Sequence, residues 1–382
     1  MKYDSAVAIL SAKRLPIGKI HGQFADESPE NLYAELIRGQ FQELELGQEK
    51  IEGLYLGNVT NQGGNLARRA GLAAAFPVSI PAQSIDCQCG SGLAAIINAA
   101  NAIKAGDATY LAAGGIESTS TARLVLDQDK QPLKRFPMAP NGFEDLDMGL
   151  LAERAALTNG ISRQAMDQYA LKSHQKASQA IASGQIAEEL IPYKGINRDE
   201  TVRPNSSFET LSKLKPAFKK EGTITAGNAC PINDGASSVI LGSPTQTDFQ
   251  SAIGYYLGQS SLGLLPKDFL LGPIQSTEEL LKKYELNLDE IDCIELNEAF
   301  AVQAILFQEH FNLDDAKLNQ FGGALAFGHP YGATGGILVA RLLNRLNRID
   351  RPALGIATMC VAGGMGISLL IANRHWQNKK TD

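Results

Sequence analysis

The chain has 382 residues, 44% hydrophobic and 20% charged, a composition of soluble globular proteins with room for two or three domains. A net charge of −6 argues against a general attraction to nucleic acid or anionic membrane, and no run approaches the ~20 apolar residues of a membrane span. Five cysteines without a CxxC pair argue against a disulfide framework or a zinc site, and point to a reducing compartment, the cytoplasm.

Residues 5–10 read as a first strand, too brief an apolar run for the core of a signal peptide. Residues 14–19 follow as a loop, and 28–46 as a helix with Gly47 as its stop signal. A strand is expected at 55–59, a glycine-bearing loop at 61–65, a helix at 66–75 and a strand end at 81–86. Apolar side chains at Leu93, Ile96, Ile97, Ala100 and Ile103 mark one face of a helix. The next strand, 109–113, ends at Gly114-Gly115. Strands alternating with helices indicate an α/β protein with a largely parallel sheet.

From 118 to 232 the pattern changes, as if a segment were inserted into an α/β body. Residues 121–147 are polar with little periodicity, and form a long excursion. Ser162 caps a helix running to Ser183, which carries His174 as a packing or surface histidine. Lys213, Lys215, Lys219 and Lys220 make a basic cluster, a solvated loop by default. With Arg203 the same cations can hold the phosphates of a nucleotide-like handle.

The α/β pattern resumes at 251. Ser276-Thr277-Glu278-Glu279 is a capping-box signature. A strand is expected at 293–296, and Asn297-Glu298-Ala299-Phe300 opens a helix. A glycine-rich approach, 322–328, leads to His329, a helix to Leu346 and a strand at 356–359 that stops at Cys360-Val361-Ala362-Gly363-Gly364. The tail, 377–382, carries no retention or lipidation signal. A weak internal repeat shows in the two strands that end in paired glycines, each preceded by a glycine-bearing turn and a helix.

Cys89 lies where a strand turns into a helix N-terminus, between Gln88 and Gly90-Ser91-Gly92. Free N–H groups and the helix dipole there lower a thiol's pKa, and the same amides can receive a negative oxygen. The plain alternative is a buried structural cysteine. His329, Cys360 and Asn297 share this kind of place, a strand end beside glycines, where parallel sheets bind ligands. A thiolate nucleophile needs such a histidine, and a second thiol can act as acid or base. Asn297 can orient a water or donate to an oxyanion, or simply cap a helix. Cys87 and Cys293 lie within apparent strands and read as structural.

These motifs resemble the thiolase family, and its acetyl-CoA acetyltransferase branch in particular. The resemblance spans essentially the whole chain, through Arg14-Leu15-Pro16-Ile17-Gly18, Cys89-Gly90-Ser91-Gly92-Leu93, Gly114-Gly115-Ile116-Glu117-Ser118, Asp147-Met148-Gly149 and Thr225-Ala226-Gly227-Asn228-Ala229. It continues through Asn233-Asp234-Gly235-Ala236, Asn297-Glu298-Ala299-Phe300, Gly328-His329-Pro330 and Cys360-Val361-Ala362-Gly363-Gly364-Met365-Gly366.

The resemblance implies an α/β thiolase fold, two similar βαβαβαββ halves packed as a five-layer αβαβα core with an inserted loop domain. Residues 1–117 with 233–250 would form the N-terminal half, 118–232 the inserted CoA-binding domain, and 251–382 the C-terminal half. Two acetyl-CoA would be condensed reversibly to acetoacetyl-CoA plus CoA, supplying lipid and isoprenoid precursors. Cys89 would carry the acetyl group. His329 would activate it and, with a water held by Asn297, bind the thioester oxygen of the second substrate. Cys360 would move the α-proton. The amides of Cys89 and Ala362 would form the oxyanion site. Arg203 would lie near the nucleotide end of CoA, and Met148, Phe218, Ala226, Cys230, Ala299 and Phe300 along the pantetheine and acyl pocket. No cofactor and no metal are expected. The chain would be a homodimer or homotetramer without nucleic-acid or membrane partners.

Some positions depart from the family pattern. Cys230-Pro231 stands where serine and glycine are usual, which puts the contact to the pantetheine arm in doubt. Ala362 replaces a glycine, and Asp147 a histidine of short-chain relatives. Phe321 either narrows the pocket or packs. The excursion at 121–147 is shorter than in tetrameric relatives. The alternative within the fold is a 3-ketoacyl-CoA thiolase of β-oxidation. Decarboxylating ketoacyl synthases would need a second histidine where Cys360 stands, and a non-catalytic scaffold would be expected to lose one of the four residues.

Overall fold

The computed structural model describes residues 6–61, 63–133, 135–243 and 251–376; the start of the expected first strand, the segment 244–250 and the tail 377–382 lie outside the described residues. The strands are β1 (Val7–Arg14), β2 (Gly18–Lys19), β3 (Gly53–Gly57), β4 (Ala82–Ile85), β5 (Tyr110–Ser118), β6 (Asn233–Gly242), β7 (Gly254–Gly263), β8 (Cys293–Leu296), β9 (Leu354–Val361) and β10 (Met365–Asn373). The helices are α1 (Pro29–Gln42), α2 (Leu66–Ala73), α3 (Ser91–Ala105), α4 (Met148–Thr158), α5 (Arg163–Ala182), α6 (Phe208–Ser212), α7 (Gly272–Tyr284), α8 (Ala301–His310), α9 (Ala324–Phe327) and α10 (Tyr331–Leu346). Among the described residues, no helix is long and apolar enough to cross a membrane.

Hydrogen bonds order the strands β4-β3-β5-β6-β1-β7-β10-β9-β8, with β2 beside β6. The order repeats on either side of the short antiparallel contact between β1 and β7, where Val7 faces Tyr256. Outward from it run β6, β5, β3 and β4 on one side, and β10, β9 and β8 on the other. In place of a last strand in the second half, Leu318 makes one parallel bridge to Ile294. Apart from the short β2 and α9 and from α4, α5 and α6 between β5 and β6, the chain runs β1-α1-β3-α2-β4-α3-β5-β6 and then β7-α7-β8-α8-α10-β9-β10. The paired glycines seen in the sequence are thus the visible trace of a duplicated βαβαβαββ unit.

Side chains that alternate along the strands bury both faces of this sheet. On β5, Ala112 and Ile116 join the cluster of Leu32, Leu36 and Leu66 from α1 and α2, while Leu111 and Ala113 meet Leu93 and Ile96 of α3. In the second half α7 covers the outer face of β7, β9 and β10. Helix α10 packs on β1, β5 and β6 and also on β8, β9 and β10, so the inner faces of both halves enclose it together with α3. The layers are therefore αβαβα. The stripe expected on α3 is buried, and so are Ala95 and Ala99 on its other side, as befits a central helix. Each fully buried Leu or Ile there contributes about 1.5–3 kcal/mol.

The structure corrects several local expectations. Strand β5 does not stop at Gly114-Gly115 but runs through them to Ser118. A Cβ on Gly115 would lie 1.8 Å from the Gly332 carbonyl oxygen, so this glycine admits α10 rather than ending the strand. Likewise β9 carries Cys360 and Val361, and the turn comes at Gly363 and Gly364, with φ of 88° and 87°. The Ser276 capping box is not used. Helix α7 already starts at Gly272-Pro273, where proline suits the first turn, and Ser276 is buried 2.7 Å from the Ser368 hydroxyl. Cys87 follows β4 instead of lying in it. As expected, Ser162 caps α5 through the Ala165 N–H, and His174 is buried, accepting from the Arg203 N–H. Between β5 and β6 lie α4, α5 and α6.

Candidate active site

The two central helices begin at the site. Each is preceded by one of the expected functional residues, Cys89 before α3 and His329 before α10. Their first turns touch through glycines: a Cβ on Gly92 would lie 2.6 Å from the Gly332 oxygen, and one on Gly335 2.2 Å from the Leu93 nitrogen. No side chain fits between the helices there, and that close approach draws the two turns together. His329 therefore does not sit at a strand end as expected. It lies between α9 and α10, in the place that Cys89 holds in the first half.

The turn at Cys89 is tightly bonded. Gln88 takes a φ of 48°, Gly90 N–H donates to the Cys87 oxygen, and the Ser91 hydroxyl accepts from the Cys87 N–H at 2.8 Å. The sulfur receives the N–H groups of Ala362 and of Cys89 itself, the two amides expected at an oxyanion site. Burial nonetheless pushes the thiol up to about 12 against those donors, with Glu117 adding to the rise. The lowered pKa expected from the helix terminus is overturned, because desolvation of the sulfur outweighs the helix terminus and its N–H groups. Cys360 is also pushed well up by burial, with Cys89 and Cys230 adding to it. Gly90 and Val361, the neighbours of the two thiols, are in contact, for a Cβ on Gly90 would lie 2.7 Å from Val361 Cγ2.

His329 is held by its backbone and by one ring nitrogen. Its N–H donates to Asn233 Oδ1 at 3.0 Å, and Gly328, with φ of 102°, leaves room for that amide. Nδ1 meets the Thr334 hydroxyl at 2.7 Å, while the buried Nε2 has no partner among the described residues. Burial lowers its pKa to about 3, so the ring is neutral. Asn297 follows β8 and does not cap a helix, since α8 begins only at Ala301 with Phe300 as its cap. Its N–H donates to the Thr358 oxygen at 3.0 Å, and both polar atoms of its buried side chain lack a partner among the described residues. A neutral imidazole with an open nitrogen, two thiols and peptide N–H donors at a sulfur can take up and hand on an acyl group.

The chain matches the models for the thiolase N-terminal domain over residues 7–244 and the thiolase C-terminal domain over 251–373. The chain belongs to the thiolase family. It is 35% identical to an acetyl-CoA acetyltransferase of Pseudomonas aeruginosa over 96% of this chain and 99% of that one. Among solved structures it is similar to the Bacillus anthracis acetyl-CoA acetyltransferase, at 30% identity and a TM-score of 0.90, over 98% of this chain and all (100%) of that one. Human mitochondrial 3-ketoacyl-CoA thiolase in complex with CoA follows at 31% identity and a TM-score of 0.88, covering 97% and 98%.

In this thiolase, an acyltransferase by family, several of the remaining expected residues pack on one another. Phe218 packs its ring edge against Phe300, centroids 6.2 Å apart, and covers Gly149 beside Met148. Ala299, Phe300 and Cys360 share one buried cluster, against which Met148 and Cys230 pack. The Cys230 N–H donates to the Ala299 oxygen, and the bridges Ala229–Phe300 and Ile232–His329 carry this segment across the site. Ala226 and Arg203 are exposed. Ala362 has no positive φ, so alanine is unstrained where the family pattern leads to the expectation of glycine. Asp147 caps α4, accepting from the Gly149 N–H at 2.8 Å. Phe321 packs with Ile17, Phe327 and Ile337, away from Ala299 and Phe300.

Three residues went unread in the sequence. Glu117 is fully buried and accepts from the Gly332 N–H at the start of α10 and from the Thr60 and Val59 N–H groups. Tyr331 sets its ring edge-on to His329, centroids 5.2 Å apart, with its phenol in the field of Cys89 and Cys230. Thr334 meets His329 Nδ1. The i, i+5 spacing of His329 and Thr334 was the available signal for the last.

Proposed function

We propose that this thiolase is an acetyl-CoA C-acetyltransferase, condensing two acetyl-CoA to acetoacetyl-CoA plus CoA and running the reverse thiolysis. The observations that support this reading are the touching first turns of α3 and α10, which follow Cys89 and His329, and the presence of Cys360 in the field of Cys89. The Cys89 sulfur attacks the thioester carbon as His329 Nε2 takes its proton and passes it to the departing CoA sulfur. The oxyanion lies on the Cys89 and Ala362 N–H groups. Cys360, having released its proton to solvent while CoA exchanges, removes the α-proton of the second acetyl-CoA as a thiolate, and its raised pKa makes that thiolate a stronger base for the carbon acid. The carbanion attacks acetyl-Cys89, and the leaving Cys89 sulfur recovers the proton from Cys360. His329 and a water on Asn297 hold the oxygen of the second thioester.

In this reading 118–232 is the CoA-binding insert, between an N-terminal half of 1–117 with 233–250 and a C-terminal half of 251–382. Arg203 and the exposed lysines take the phosphates, and Met148, Phe218, Ala226, Cys230, Ala299 and Phe300 line the pantetheine and acyl channel. The substrates are CoA thioesters, without a resident cofactor. Exposed Leu124, Leu126, Phe136 and Phe143 on the excursion support burial against further copies in a homodimer or homotetramer. Five free thiols agree with the reducing cytoplasm.

The Phe218–Phe300 pair beside Met148 favours a short acyl chain. Similarity to a 3-ketoacyl-CoA thiolase favours the alternative, longer 3-ketoacyl-CoA. Mass spectrometry after incubation with acetoacetyl-CoA is expected to find an acetyl group on Cys89, and an unmodified protein refutes the mechanism. Thiolysis across a chain-length series then separates the substrates: faster cleavage of long 3-ketoacyl-CoA overturns the short-chain assignment.

A further inference from the structure

The reaction proposed above asks His329 for two opposite services. To take the Cys89 proton, Nε2 must carry a lone pair; to hold a thioester oxygen, it must carry a hydrogen. In a neutral ring these are the two tautomers, and the partner of Nδ1 decides between them. A carboxylate or a carbonyl there only accepts, and so fixes one tautomer. Here the partner is the Thr334 hydroxyl, at 2.7 Å, which both accepts and donates. Among the described residues, that nitrogen is the hydroxyl's one hydrogen-bond partner. The other titratable groups of the site are the thiols of Cys89, Cys230 and Cys360, the Tyr331 phenol and Glu117, and none bonds the imidazole.

We propose that Thr334 is a positioning residue that leaves both neutral tautomers of His329 available, so that the group meeting Nε2 selects the one each half-reaction needs. With Nδ1–H donating to Thr334, Nε2 is the base for Cys89. With the hydroxyl donating to Nδ1, Nε2–H faces the second thioester oxygen. Either way Nδ1 stays hydrogen-bonded, so neither tautomer leaves it orphaned in the interior. The change is neutral overall: one proton is gained at Nε2 and one lost at Nδ1, with solvent as source and sink while CoA exchanges.

This inference rests on the proposed acyl transfer, and the test separates the two. Thr334→Val keeps the shape and removes the hydroxyl; Thr334→Ser restores it. Valine is expected to lower kcat about 10²-fold with little change in KM and to slow Cys89 alkylation by iodoacetamide across the pH profile, and serine to recover most of both. Valine within twofold of wild type overturns the proposal. A readout without any change at 334 is ¹⁵N NMR of the histidine rings in the free enzyme and in Cys360→Ala enzyme acetylated on Cys89 and saturated with acetyl-CoA. A move of His329 from Nδ1–H to Nε2–H supports the proposal, and one tautomer in both states overturns it. Absence of any acetyl adduct on wild-type Cys89 instead refutes the underlying reaction.

Discussion

Gly335→Ala tests the claim that the glycine crossing of α3 and α10 builds the site. The new Cβ would lie 2.2 Å from the Leu93 nitrogen and 2.6 Å from the Gly92 carbonyl carbon, where ordinary contact begins at 3.4 Å. These are backbone atoms, so no rotamer change makes room, and the helices must part by about 1.2 Å along that line. Two energies compete. Alanine for glycine inside a helix gains about 0.8–1 kcal/mol. Overpacking a filled interior costs about 1–3 kcal/mol. The difference runs from about 0 to about 2 kcal/mol, and the rigid backbone contact puts this site at the costly end, a net loss. The shift also moves His329 relative to Cys89, and a misplacement of about 1 Å lowers turnover about 10²-fold. Urea unfolding and acetoacetyl-CoA thiolysis measure the two effects. Gly263→Ala, whose Cβ meets nothing closer than 4.0 Å, is the control expected to change neither. A Gly335→Ala enzyme with wild-type kcat and raised stability would refute the reasoning.

Asn297→Ala is expected to lower kcat about 10²-fold while leaving the urea midpoint unchanged or slightly raised, because its side chain has no protein partner to lose; a clear drop in stability would show that the side chain is structural. Asp199→Ala is expected to cost about 3–5 kcal/mol by urea unfolding, since Asp199 and Glu189 hold the buried Arg14 guanidinium, at 2.7 Å to Asp199 Oδ1. Glu189 beside Arg14 and Arg341 is held below the usual carboxylate range, so its share of stability is present above about pH 4.5 and fades only as pH falls through its lower folded value. His174 is lowered by burial, and then by Arg203, to about 4. Its unfolded form takes up a proton first, so stability is full above about pH 6.5 and falls by about 2 kcal/mol from pH 7 to 5. His174→Gln is expected to flatten that share of the slope in urea titrations at the two pH values; an unchanged slope would place the titration elsewhere.

Local signals served well where the cause was local. The Ser162 cap and the Leu93–Ile103 stripe concern neighbours in sequence, and α3 and α5 were read nearly to the residue, whereas α1 ends at Gln42, short of the expected 46, and Gly47 at φ of −70° opens a separate turn instead of stopping it. Glycine misled where its cause was distant. Gly114 and Gly115 looked like a terminator, but they exist to admit Ser237 and Gly332 from elsewhere in the chain. Ser276 looked like a cap because nothing nearby announces its partner, Ser368. Cys89, His329, Cys360 and Asn297 could be picked out by residue type and by glycine company. The raised thiols and the neutral imidazole could not, because burial is a property of the packed layers.

The sequence by itself determined the family, the alternation of strands and helices, and which side chains are candidates for the chemistry, since these follow from residue identity and short-range spacing. Tertiary structure decided that two copies of one unit close around α3 and α10, that glycines let those helices meet at their first turns, and that the reactive groups are dry. Desolvation and contact between residues hundreds of positions apart depend on the whole packing arrangement, and no local stretch of chain encodes them.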